Sequence, residues 1–321
     1  MPTQLDWYLH LNLKTRHLRL LVMLDDLGSL KKVAEATHVT LPAVSRALAE
    51  LERGLGLELF VRTSQGIRAT EYGECLVRHA RNILTDVQQV RDELNSLYNG
   101  SGGKINIGVY PASSSVLVPK ALHLLKQRSP NTNAQVIEGT RPLLLPQLWE
   151  GKIDLIVGRL PAVPPSSGFD EKALLEERLV LVTGPQHPLA KRKHLQWSDL
   201  RTYPWVLPSP ASQIREPFER ILEMQGLEFP KNYIETMSVQ IARSYLYGSD
   251  AISVLANTAA RDKFQPLAVL PLALPPMLRA TGIMWNRNRP FSAATELMMD
   301  CLEGAAEAIR ETARSQADPV F

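Results

Sequence analysis

Apolar residues early in the chain recur with a helical period. Leu18, Leu21, Val22 and Leu24 lie at that spacing, and Gly28 ends the helix they define. Ser29 reads as the N-cap of a second helix over Leu30–Thr37, with Val33 and Ala34 on one face. His38 and Val39 make a short turn, and His38 reads as a partly buried packing residue rather than a sensor. Thr40 reads as the next N-cap. Pro42 then falls in the first turn of a helix over Leu41–Arg53, where a missing N–H costs nothing. Val44, Leu48 and Leu51 share one side of that helix; Pro42, Ser45, Arg46 and Ala49 share the other. Leu59–Arg62 predicts a short strand, 63–66 a turn and Ile67–Thr70 a return strand, with Arg62 and Arg68 near the base of the hairpin. A short helix, a tight turn and a second helix with small, donor-bearing residues outward form the geometry that enters a major groove. A following wing brings arginines to phosphates or the minor groove. A two-helix corner of an ordinary bundle would satisfy the same apolar spacing.

Thr70 caps the next predicted helix, over Glu71–Tyr98. Its apolar residues Leu76, Ala80, Ile83, Val87, Val90, Leu94 and Leu97 step alternately by four and three, a heptad seam. The alternative is an amphipathic helix lying on its own domain, but a strict seven-residue repeat fits poorly on a curved core. Residues 99–103, Asn-Gly-Ser-Gly-Gly, read as a flexible hinge. From Lys104 strands alternate with helices. Strands are predicted over Ile105–Tyr110, Ala134–Glu138 and Asp154–Gly158, and helices over Val116–Gln127 and Leu143–Trp149. That alternation predicts a parallel sheet covered by helices. The proline- and serine-rich stretch 161–168 interrupts it as a crossover between lobes would. A second α/β unit follows, with strands over Leu179–Thr183, Trp205–Leu207, Tyr233–Thr236 and Ala251–Leu255 and a helix over Glu216–Gln225. The chain returns through apolar Leu267–Leu272 and Ile283–Asn286 and ends in a helix over Ala293–Thr312.

Composition narrows the class. At roughly 150 residues per domain, the 321 residues predict two or three domains, and 45% hydrophobic with 21% charged residues is an ordinary globular balance. No apolar run approaches the ~20 residues of a spanning helix. The first residues lack the basic start, apolar run and small-residue cleavage site of a signal peptide. The expectation is a cytoplasmic protein with no membrane partner. Cys75 and Cys301 are too few and too far apart for a disulfide framework or a zinc site. A net charge of +3 does not announce a nucleic-acid binder, and residues 13–70 hold nine Lys/Arg against six acids. The local pattern carries that inference instead. No GxSxG, HExxH, P-loop, GxGxxG or CxxC is present, and the seven histidines show no ligand spacing. Neither catalysis, nor a cofactor, nor a metal is expected.

The run SLKKVAEATHVTLPAVSRALAELERGLGLELFVRTSQGIRATEYG resembles the DNA-binding domain of the LysR-type transcriptional regulators. The family pattern is a Gly-Ser turn, an Ala-rich helix, then V-[ST]-Q-P-A-[VL]-S-R, L-E, L-G, L-F-x-R and T-x-x-G. One departure matters: Leu41 stands where the family usually has Gln. Leucine cannot hydrogen-bond a base edge, but it can touch a thymine methyl. The second half is similar to the galactose-binding-protein regulator and protocatechuate-pathway regulator branch, through EGTRPLLLPQLWEGKIDLIVGRL, HPLA, and IETMS followed by DAI. Two α/β lobes joined by two crossovers follow the plan of periplasmic-type solute-binding domains, which this family carries C-terminally.

The resemblance implies an α/β protein with an all-α winged helix–turn–helix N-terminal domain, and a two-lobed periplasmic-binding-protein-like effector domain behind a long linker helix. The expected organisation is an extension over 1–12 without an assigned role, a DNA-binding domain over 13–70, a dimerisation helix over 71–98, a hinge over 99–103 and an effector domain over 104–321. Lobe I is expected at about 104–160 and 268–315, lobe II at about 166–266. Arg46 is the candidate for a base edge or adjacent phosphate, and Ser45 and Thr40 for phosphates or bases. Arg62 and Arg68 are assigned to the backbone beside the wing. Ser29, Leu41 and Pro42 complete the candidate DNA-binding set.

For the effector, serines at 113–115, Ser113 and Ser114 among them, stand before the helix over 116–127. There hydroxyls and unpaired N–H groups suit an anion, although plain N-capping would need only one serine. Arg159 leaves the end of a strand, where it can pair with a carboxylate or make an inter-lobe salt bridge. Thr140, Ser209, Ser212 and Ser238 are assigned to the cleft by the resemblance, with turn chemistry as the alternative. The set predicts a small carboxylate or polyhydroxylated effector. The implied partners are double-stranded operator DNA, RNA polymerase and further copies of the chain as a dimer or tetramer. A solute-binding protein or a two-lobed enzyme, neither of them binding DNA, remains the alternative function.

Overall fold

The computed structural model describes residues 4–64, 66–99, 102–111, 115–161, 168–176, 178–260, 266–275 and 280–315. The chain divides into two compact units, Met1–Asn95 with Trp149–Gly151, and Ser96–Leu148 with Lys152–Phe321.

The first unit runs α1 (Gln4–Leu11), α2 (Thr15–Leu27), α3 (Leu30–Thr37), α4 (Leu41–Leu55), a hairpin of β1 (Phe60–Thr63) and β2 (Gly66–Ala69), and α5 (Glu71–Asn99). Glycines at Gly28 and Gly56, with φ of 60° and 70°, end α2 and α4 in the left-handed conformation that costs glycine least. α4 therefore runs two residues past the predicted Arg53. Leu21, Leu24, Val33, Val44, Leu51, Leu59 and Val77 form one apolar core. Burying each Leu-sized side chain contributes about 1.5–3 kcal/mol. Within the N-terminal extension Gln4–Leu11 is helical, and its Tyr8 packs against that core. Tyr8 lies over Gly54, where a methyl group would come within 2.0 Å of the ring.

The second unit holds two sheets. β3 (Lys104–Val109), β4 (Asn133–Glu138), β5 (Leu155–Arg159), β6 (Phe169–Leu175) and, near the end of the chain, β12 (Thr281–Asn286) form one, in the order β4-β3-β5-β12-β6. β7 (Leu179–Thr183), β8 (Trp205–Leu207), β9 (Tyr233–Glu235), β10 (Ile252–Ala256) and β11 (Ala268–Val269) form the other, in the order β11-β7-β10-β8-β9. Helices α6 (Leu117–Arg128), α7 (Arg141–Trp149) and α11 (Ala293–Ser315) accompany the first sheet in sequence. α8 (Arg215–Met224), α9 (Val239–Tyr247) and the short α10 (Asn257–Ala260) accompany the second. Ile105, Ile107, Leu155 and Ile283 pack against Ala121, Leu125, Met298 and Leu302 in lobe I. Leu181, Trp205, Phe218 and Val254 centre lobe II.

Three expectations change. The sheets are mixed rather than parallel, because β12 returns antiparallel to both β5 and β6, and β7 runs antiparallel to β10. Residues 169–175, expected in lobe II, form the edge strand β6 of lobe I. Their Asp170, Glu171 and Lys172 are the charges an exposed edge tolerates, and they masked the strand in the sequence. Residues 268–269 pair with β7 in lobe II, so the return to lobe I falls between 270 and 281. Of the predicted hinge, 100–101 lie outside the described residues. Gly102 accepts a bond from the Thr132 hydroxyl at 2.8 Å, and Gly103 accepts one from Asn133 N–H at 2.9 Å.

Candidate nucleic-acid interface and ligand cleft

The helix–turn–helix is set by backbone caps. Ser29 Oγ accepts from Lys32 N–H at 3.4 Å, and the carbonyl of Ser29 accepts from Val33 N–H at 3.0 Å. His38 takes the left-handed conformation with φ of 56°, closing α3 so that Val39 N–H reaches the Ala34 carbonyl at 3.1 Å. In that cap position His38 is exposed, which corrects its reading as partly buried packing. Thr40 caps α4 through its carbonyl, which accepts from Ala43 N–H at 2.9 Å, and not through its hydroxyl. Val44, Leu48 and Leu51 are buried beneath α4, while Leu41, Pro42, Arg46 and Ala49 are exposed and Ser45 is half-buried. A free helix face presenting the N-terminal turn thus stands opposite a packed one.

The wing is fixed to this scaffold. Glu52 on α4 accepts from Leu59 N–H at 2.8 Å and from Phe60 N–H at 3.1 Å, so a carboxylate inside the helix starts the hairpin. This role was not read from the sequence, although the Leu-Glu pair was the available signal. Ile67 N–H donates to the Gly28 carbonyl at 3.0 Å. A Cβ at Gly66 would meet that carbonyl at 2.3 Å, so only glycine allows the approach. Pairing sets Arg62 across from Ile67 and Arg68 across from Val61. Directly paired residues share a face, so the two arginines leave opposite faces of the ribbon, and both are exposed.

α5 divides at its second turn. The Thr70 hydroxyl accepts from Gly73 N–H at 3.1 Å and caps it. Leu76 packs against the helix–turn–helix core and Ala80 is fully buried. This corrects their place in the dimer seam, because the start of the heptad is spent inside the subunit. Arg81 then donates to Asp25 at 2.9 Å and to Asp26 at 2.5 Å, clasping α5 to the end of α2. Beyond it Ile83, Val87, Val90 and Leu94 are 43–61% exposed, an apolar stripe along the helix. The side chain of Leu97 lies outside the described residues.

A cleft opens between the two lobes of the second unit. Thr140, Arg159, Ser212 and Ser238 line it, together with Tyr110, Arg141 and Thr236, which the sequence did not single out. Arg159 is 5% exposed and lies inside β5, paired with Thr281, rather than beyond its end. Ser209 does not line the cleft: its carbonyl accepts from Ser212 N–H at 2.9 Å and closes a turn. Ser113 and Ser114 lie outside the described residues. Val206, Leu207, Met237, Val254 and Leu255 supply apolar wall.

The polar groups of the cleft are biased towards donation. Ser238 Oγ accepts from Ile241 N–H at 3.2 Å, Thr236 Oγ1 from Ser238 N–H at 3.0 Å and Ser212 Oγ from Ile214 N–H at 3.4 Å. Each hydroxyl proton is left to donate elsewhere. Thr140 and Ser238 precede α7 and α9, whose N-terminal ends favour negative charge. The Tyr110 hydroxyl is buried with no hydrogen-bond partner among the described residues. Burial pushes its pKa up to about 12 against the pull of Arg141, so the phenol remains a protonated donor at neutral pH. No Asp or Glu is among the described residues lining the cleft. Among the described residues no group of three or more His, Cys, Asp or Glu could hold a metal ion, and no helix is long and apolar enough to cross a membrane.

A winged helix–turn–helix, a long linker helix and a two-lobed domain with a donor-lined cleft define a DNA-binding regulator that carries a small-molecule sensor. Residues 15–74 match the bacterial regulatory helix-turn-helix protein, lysR family, and residues 99–307 match the LysR substrate binding domain. The chain belongs to the LysR family of transcriptional regulators, a family of DNA-binding proteins and not of enzymes. It is 30% identical over 318 residues to the HTH-type transcriptional regulator GbpR of Azospirillum brasilense, covering 98% of this chain and 93% of that one. It is 31% identical to the regulator PcaQ of Agrobacterium fabrum, covering 92% and 95%. Full-length BenM shares its fold with a TM-score of 0.52 at 25% identity, covering 96% of this chain and all of that one. CbnR solved with its target DNA shares the fold with a TM-score of 0.63 at 17% identity, covering 91% and 100%.

Proposed function

We propose that the exposed turn of α4 reads operator DNA, with Arg46 at a base edge or adjacent phosphate and Ser45 and Thr40 beside it. Leu41 and Pro42 make apolar contact, Ser29 lies at the backbone, and Arg62 and Arg68 straddle it from the wing. Two copies pair along Ile83–Leu94, so that two recognition helices stand about one DNA turn, ~34 Å, apart. The sensor domains pair further into a tetramer. Ligand in the cleft changes that pairing, the DNA bend, and with it access of RNA polymerase. Such a regulator works in the cytoplasm, where its operator is.

The effector is a small organic carboxylate with an apolar body. The observation that supports it is a cleft that presents Arg159, Arg141, Tyr110 and three hydroxyl donors against apolar walls, with no carboxylate among its described lining residues. A sugar's hydroxyls need acceptors as well as donors, so this chemistry favours the anion over the polyhydroxylated alternative. Thermal shift and calorimetry with benzoate, protocatechuate, galactonate and galactose test it. Carboxylates should raise the melting temperature of the full chain and lose that effect in Arg159→Met. Stabilisation by galactose alone, or by carboxylates equally in Arg159→Met, contradicts the reading.

A further inference from the structure

Two stretches of lobe II, 208–214 and 236–239, form one side of the ligand cleft. They come from separate parts of the chain, and behind them lies Arg215, the first residue of α8, only 7% exposed. Its Nη1 donates to the Pro208 carbonyl at 2.7 Å and to Glu235 Oε1 at 2.7 Å, while Nε donates to Glu219. Its guanidinium carbon stands 4.8 Å from the centre of the Phe229 ring. Pro208 opens the first cleft stretch, and Glu235 immediately precedes Thr236, which opens the second. Among the described residues few other hydrogen bonds join the two stretches. Prolines at 208 and 210 remove two N–H donors from the turn, and Thr236 N–H to Leu207 carbonyl at 3.0 Å is the last rung between β8 and β9.

We infer that Arg215 is a positioning residue for the effector cleft: it clips the 208–214 and 236–239 walls together from behind, without touching ligand. The inference rests on reading the inter-lobe cleft as the effector site. A planar guanidinium with donors on two edges can hold a carbonyl and two carboxylates at once; a lysine ammonium cannot reproduce that fork. Because Glu235 lies on the exposed edge strand of the sheet, the same clip joins the position of the cleft wall to the position of that edge.

Hydrogen–deuterium exchange on the full chain tests this, comparing wild type with Arg215→Met, Arg215→Lys and Glu235→Gln. Removing charged hydrogen bonds from Arg215 should raise exchange on the order of tenfold at the amides of Ser212, Arg215, Thr236 and Ser238 together. Strands 179–183 and 252–256 should keep wild-type protection, and Arg215→Lys should recover the effect only in part. Glu235→Gln should loosen 208–214 as well as its own segment, and it decides the matter alone if Arg215→Met does not fold. A change confined to the first turn of α8, a uniform loosening of lobe II, or a Glu235→Gln variant silent at 208–214 overturns the inference. Failure of the cleft reading looks different: benzoate, protocatechuate and galactonate would then protect neither segment of the wild-type protein, whatever the variants do.

Discussion

Replacing Val87 by Asp should split the dimer without unfolding the subunit. Val87 is 47% exposed, in a stripe whose other members Ile83, Val90 and Leu94 are 43%, 55% and 61% exposed. Full burial of such a side chain contributes about 1.5–3 kcal/mol, so covering the exposed half contributes roughly 0.8–1.5 kcal/mol per residue. Four residues from each of two helices then contribute about 6–12 kcal/mol, set against an association cost of about 4–15 kcal/mol. The pairing is therefore sensitive to one substitution. Val87→Asp removes two half-buried valines, about 2 kcal/mol, and sets two unpaired carboxylates in the seam at a further few kcal/mol. A total near 4 kcal/mol weakens association about a thousandfold. Sedimentation velocity and light scattering at micromolar protein should show the lost mass, with circular dichroism unchanged because the site is on the surface. An unchanged mass would refute the stripe as the dimer seam.

Two further predictions follow from other sites. Burial lowers the pKa of His187, which accepts from Leu189 N–H at 3.0 Å and pairs through Nε2 with the Asp250 carbonyl at 3.2 Å. The folded state therefore binds a proton less readily than the unfolded one, so its stabilisation is present above pH ~6.5 and is lost as pH falls through the depressed value. Melting between pH 7.5 and 5.5 should fall more steeply for wild type than for His187→Gln, and parallel curves would contradict this. At Leu41, 46% exposed at the start of the recognition helix, thymine-to-uracil replacement within the protected operator half-site should weaken binding by roughly 1 kcal/mol or less. Leu41→Gln should become indifferent to that methyl group; equal sensitivity in both proteins would exclude the contact.

The first unit was legible in the sequence because its determinants are local. Ser29, Gly28, Pro42 and Thr70 mark ends, and the apolar period between them matches the observed helices to within about two residues. The heptad misled at Leu76 and Ala80, since the same spacing serves a core and a partner, and only tertiary packing separates them. The cleft was legible in part. Thr140, Arg159, Ser212 and Ser238 reached it, whereas Ser209 was taken up by the turn that Ser212 closes. Tyr110 and Arg141 were missed because a cleft gathers the ends of many elements, and no spacing along the chain records which ends converge. β6 was missed for the opposite reason: charges suited to an edge strand read as loop.

The central claim is that the outward turn of α4 enters duplex DNA, and quantitative gel shifts with full-length Arg46→Ala on the DNA upstream of its own coding sequence test it most directly. Arg46 is exposed, and among the described residues its Nε reaches only the Pro42 carbonyl of its own helix at 3.4 Å, so its removal leaves the fold intact. Loss of a base-edge contact worth about 1–3 kcal/mol predicts a fall in specific affinity of about 5- to 150-fold per half-site, with oligomer mass unchanged. Wild-type affinity for that DNA, from a variant that folds and assembles normally, would contradict the account.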